Sequence, residues 1–134
     1  MAQWHLNDDF LGTDVEDAFG VYTGTSVRTT DVVHATGKVG SGAFTFNGSS
    51  DYVDFGSDVT LRPLVGAVSA WVKLPADTYA PIIGWKVAST LGIWATRNSS
   101  PLIWMSGYSY FSADVLDGDW HHMVFNYGSA SAED

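Results

Sequence analysis

Residues 36–56 read T-G-K-V-G-S-G-A-F-T-F-N-G-S-S-D-Y-V-D-F-G. Two runs of period-2 alternation, Ala43-Phe44-Thr45-Phe46 and Tyr52-Val53-Asp54-Phe55, flank the polar turn Asn47-Gly48-Ser49-Ser50-Asp51. Apolar and polar residues alternating over four or more positions predict a strand with one face buried. Asn-Gly tolerates positive φ, so the chain reverses there at low cost. Gly37, Gly40 and Gly42 ahead of the turn point to close backbone approach or a bulge, and away from helix. The stretch predicts an antiparallel hairpin.

The remaining chain has the same character. Gln3-Trp4-His5-Leu6-Asn7 alternates and predicts a first strand, and residues 21–33 are rich in Thr and Val. The run Val65-Gly66-Ala67-Val68-Ser69-Ala70-Trp71-Val72-Lys73-Leu74-Pro75 puts Val68, Ala70, Val72 and Leu74 on one face and Ser69, Trp71 and Lys73 on the other. Further strands are predicted at residues 82–85, 91–96, 102–105 and 108–111. A last one runs over Trp120-His121-His122-Met123-Val124-Phe125-Asn126-Tyr127-Gly128. No helix of ordinary length is signalled and no internal repeat stands out. Strands separated by turn signals predict an all-β sandwich. A chain of 134 residues predicts a single domain over 1–134 that buries about two-thirds of the surface its unfolded form exposes.

Three stretches carry a resemblance. The 36–56 run G-K-V-G-x-G-A-F-x-F-N-G-x-x-D-Y-V-D-F, the strand V-S-A-W-V-K at 68–73 and the strand D-G-D-W-H-H at 117–122 together resemble laminin-G-like jelly rolls of the concanavalin A-like lectin and glucanase superfamily. The likeness covers residues 3–128 and implies an antiparallel jelly roll. It also implies that the closing strands following the Trp-His-His strand in such domains are missing here. A jelly roll short of those strands presents unpaired N–H and C=O groups at a sheet edge. Three outcomes answer that: a longer parent chain, smaller sheets, or pairing supplied by a protein partner or by self-association at the C-terminal sheet edge.

Composition narrows the function. Fifteen acidic against six basic residues give a net charge of −9, the wrong sign for nucleic-acid binding or for an anionic membrane surface. No apolar run is long enough to insert in a membrane, and no basic, apolar leader precedes the first strand. An extracellular surface or a virion is the expected place of action. Without cysteine there is no disulfide, thiolate metal site or cysteine nucleophile.

Catalysis is not expected either. Glucanases of the resembled superfamily use paired carboxylates in a Glu-x-Asp-x-Glu arrangement on one strand, whereas the only glutamates here, Glu16 and Glu133, are in no such pattern and the aspartates fall in turns. His121 and His122 are adjacent in a strand, point to opposite faces and cannot share one metal; His122 is read as a structural, hydrogen-bonded residue. The resemblance leaves two non-catalytic roles open. One is carbohydrate recognition or adhesion. The other is a structural or decoration protein of a larger assembly, such as a bacteriophage particle, that uses the jelly roll for protein–protein contacts. Aromatic rings stack on pyranose faces, and Trp85, Trp94, Trp104, Tyr108 and Tyr110, near loops or in short strands, are the candidate sugar-binding residues, while Trp71 and Trp120 are expected in the core. Calcium is the one cofactor the residue types suit, with Asp51, Asn47 and Asp54 around the central turn as candidate ligands.

Overall fold

The computed structural model describes residues 1–7, 12–27, 36–40, 42–61, 65–76, 80–86, 90–95, 102–104, 108–110 and 115–127; for residues 80, 85, 86, 90–95, 102–104, 108–110 and 127 it describes the backbone alone. The described residues form antiparallel strands, with a single 3₁₀ turn at Val59–Leu61 as their only helix. The chain is all-β, as the alternation predicts. Residues 1–63 and 64–134 make two compact units, each taken by itself below.

The first unit holds a three-stranded antiparallel sheet of β1 (Asp14–Val15), β2 (Gly24–Val27) and β3 (Tyr52–Asp54), in that order. Its register pairs Asp14 with Thr25 and Ser26 with Val53. Val15 is fully buried, and Ser26 beside it is buried because its amide and hydroxyl both donate to the Thr13 carbonyl. Gly24 lies under the Phe55 ring, where a Cβ would sit 2.5 Å from a ring carbon. The same ring meets Trp4, centroids 3.9 Å apart and planes 31° from parallel, and the Trp4 indole donates to the Tyr22 carbonyl at 2.7 Å.

Two expectations for this unit are corrected. The run 3–7 contributes one bridge, Trp4 to Asp17, because Leu6 takes a left-handed φ of 53° and ends the extended chain. The hairpin between 43–46 and 52–55 is also absent: residues 44–46 carry no strand pairing, while residues 52–54 pair with β2. The turn between them is closed by a side-chain cap. Asn47 Oδ1 accepts from the amides of Ser49, Ser50 and Asp51 at 2.8, 2.9 and 3.2 Å, and the Asn47 amide donates to Asp51 Oδ2. This compact turn satisfies its own backbone and delivers Tyr52 to a different neighbour. The glycine reading holds at Gly37, where a Cβ would run into the Gly42 carbonyl.

The second unit has two sheets. In one, β4 (Gly66–Lys73) pairs with β9 (Trp120–Tyr127) over eight residues, from Gly66↔Tyr127 to Lys73↔Trp120. The other is a four-stranded meander in chain order: β5 (Ala80–Lys86), β6 (Thr90–Ala95), β7 (Leu102–Trp104) and β8 (Tyr108–Tyr110). On β9, Met123 and Phe125 are buried; Val68 and Val72 of β4 and Ile82 and Ile83 of β5 pack against them. A β-bulge between Pro81 and Ile83 lets these consecutive isoleucines serve one core, because the extra residue breaks the alternation. Val115 and Leu116 extend that core toward Leu74 and Ile82. The turn before β9 is closed by the Gly118 amide on the Leu74 carbonyl, with Gly118 at φ 81°.

Candidate functional site

The five candidate aromatics all fall in the meander, and the cross-strand register sorts them. Directly paired residues in antiparallel strands share a face, and so do residues two apart. Trp94 is opposite Leu102, which is opposite Tyr110. Gly92 is opposite Trp104, which is opposite Tyr108. Trp94 and Gly92 are two apart on β6, so Trp94, Trp104, Tyr108 and Tyr110 all occupy one face. Ile83, Ile93 and Ile103 make up the alternate row. Ile83 packs against Met123 and Phe125, and by backbone register the four aromatics take positions in the row alternate to that of Ile83. Trp85 pairs with Leu91 and belongs with the isoleucines; it is separated from the other four. The row carrying Trp104 and Tyr108 continues into Gly92 and Gly84, which add no side chain beside them.

The β4–β9 sheet holds residues that sequence reasoning put elsewhere. Trp71 was expected in the core and is instead 41% exposed, and Trp120 is half-buried. Both lie on the face opposite Met123 and Phe125, since it is the Val68 and Val72 face that meets β5. Trp71 pairs with His122 across the strands and their rings stack, centroids 5.0 Å apart and planes 28° from parallel. The Ser69 hydroxyl and His122 Nε2 share a hydrogen bond of 2.8 Å. His121, on the inner face, bonds instead to Asp117 at 2.9 Å. The two histidines thus have separate partners, in keeping with their opposite orientations. Asp117 is held below the ordinary carboxylate value, chiefly by the His121 hydrogen bond and then by the Asp119 amide.

The residues proposed as calcium ligands take part in local hydrogen bonds. Asn47 Oδ1 and Asp51 Oδ2 accept from amides of their own turn, and Asp54 Oδ1 accepts from the Gly56 amide at 2.7 Å. Among the described residues no three His, Asp or Glu side chains gather as a metal-holding group. Also among them, no helix is long and apolar enough to cross a membrane.

No protein-family model, curated protein or solved structure matches this chain.

Proposed function

We propose that this chain is a non-catalytic carbohydrate-binding module built on a laminin-G-like, concanavalin A-like jelly roll. The observation that supports this reading most is the shared face of Trp94, Trp104, Tyr108 and Tyr110 on the meander. Pyranose rings offer axial C–H groups to the negative faces of aromatic rings, so several such residues on one sheet face suit an extended saccharide. The net charge of −9 favours a neutral polysaccharide over a polyanionic one.

The test is a glycan array probed with the wild-type chain beside Trp104→Ala and Tyr108→Ala. Wild type is expected to bind a restricted set of neutral glycans, and each variant to bind them about tenfold more weakly. A wild-type chain that binds no sugar overturns the reading.

A second reading, a structural or decoration protein of a larger assembly, is favoured by β4 and β9. Among the described residues neither strand pairs with a third, and Val124 on their outer face is 54% exposed. An added strand from a partner or another copy would pair such an edge. On this reading, sedimentation shows a stable multimer at micromolar concentration and the array stays blank.

A further inference from the structure

We propose that the outer face of β4 and β9 is a second saccharide-binding face, so that one chain is a bivalent carbohydrate binder. The inference rests on the carbohydrate reading above and adds a site to it. Trp71 presents a large aromatic ring with 41% of its surface exposed, far from the closure expected of a core tryptophan. The ring is pre-set. It stacks on His122 at 5.0 Å, and His122 is in turn tied to the Ser69 hydroxyl at 2.8 Å, so little conformational freedom is left for a ligand to remove. Polar groups suited to sugar hydroxyls flank it on the same face: Lys73 two residues along β4, opposite Trp120, and Ser69 two residues the other way, opposite Val124. An aromatic platform edged by an ammonium and a hydroxyl is the composition a pyranoside needs, with apolar C–H groups below and hydroxyls at the rim.

The placement of the two faces gives the consequence. The inner faces of the two sheets meet through Ile82, Ile83, Met123 and Phe125. By register Trp104 belongs to the row alternate to Ile83, and Trp71 to the row alternate to Met123, so the two positions fall on opposite sides of that contact. A single saccharide cannot span both. Two polysaccharide chains, or two segments of one, are held at once, and the chain crosslinks them.

Isothermal titration with a soluble neutral oligosaccharide identified on the array separates this inference from the reading under it. Wild type is expected to take up about two molecules per chain, Trp71→Ala and Trp104→Ala one each, and the double variant none. Trp71→Phe, which keeps a ring, is expected to keep both sites, and circular dichroism of Trp71→Ala is expected to match wild type. Particles coated with the same glycan are clumped by wild type and only coated by either single variant. Binding at one site that Trp104→Ala abolishes and Trp71→Ala leaves untouched overturns the second face while the carbohydrate reading stands. Failure of every protein to bind any sugar overturns both. Residual binding in Trp104→Ala that disappears in the double variant shows that Trp71 meets the ligand itself, because an effect through self-association alone would leave no such residue of binding.

Discussion

Asp17→Ala is expected to unfold the first unit at temperatures where the wild-type chain is intact, with a fall in Tm on the order of 10 °C. The side chain is a hub for backbone donors. Asp17 Oδ1 accepts from the amides of Gln3 and Phe19 at 2.8 and 3.3 Å, and Oδ2 from those of Val21 and Tyr22 at 3.2 and 3.1 Å. These bonds tie the N-terminal segment to the loop that leads into β2, and Asp17 itself is 5% exposed. Truncation strands several amides at once, the kind of loss that single surface substitutions do not produce. Asp17→Asn keeps one acceptor oxygen and is expected to lose less. A thermal melt followed by circular dichroism, with the pH varied, checks both. The carboxyl is held below its ordinary value of 3.8, first by the Gln3 amide and then, against the opposing effect of desolvation, by those of Phe19, Tyr22 and Val21. The unfolded chain therefore takes up this proton at higher pH than the folded unit does. The stability from Asp17 is in place above about 3.8 and is lost as pH falls through the lower folded value, and Asp17→Asn loses that dependence. A melt that is unchanged in Asp17→Ala rules the hub out.

The second large effect is expected on β9, where neighbouring residues supply their own control. Phe125→Ala removes a ring 9% exposed from the core shared with Met123, Ile82 and Ile83, and is expected to cost about 3 to 5 kcal/mol. Val124→Ala, one residue away on the outer face and 54% exposed, is expected to stay within about 0.5 kcal/mol of wild type. Urea titrations measure both. Equal costs for the two would mean that β9 does not have its inner face where the packing of Ile83 puts it. Because Val124 borders Ser69 across the strands, Val124→Ala also tests the platform around Trp71, and its effect is expected in binding and not in folding.

Much of the architecture is legible in the residues because strand formation is local and periodic. The alternation at 65–75 matches β4, and the runs at 82–85, 91–96, 102–105, 108–111 and 120–128 mark β5 to β9 to within a few residues. Of the glycines before the central turn, Gly37 is needed for close approach, as read, and Gly40 for its φ of 80°. Local pattern misleads where a side chain competes with backbone pairing. Asn47 caps three amides of the central turn, and the second arm of the expected hairpin pairs with β2. Leu6 at φ 53° is invisible to a pattern of alternating polarity, since leucine rarely adopts that conformation.

The candidate site divides along the same line. Alternation alone determined that Ser69, Trp71 and Lys73 share one face of β4 and that Trp120, His122, Val124 and Asn126 share one face of β9. It also made the described chain all-β, while composition made it acidic. Tertiary structure decided which face is covered. The isoleucine pair beside the β5 bulge packs on Met123 and Phe125, so Val68 and Val72 turn inward and Trp71 turns out to stack on His122. Tertiary structure also decided the meander's register, which gathers Trp94, Trp104, Tyr108 and Tyr110 and sets Trp85 apart. The physical reason is that a strand's two faces are equivalent by period, and only the neighbour against which one of them packs gives water the other.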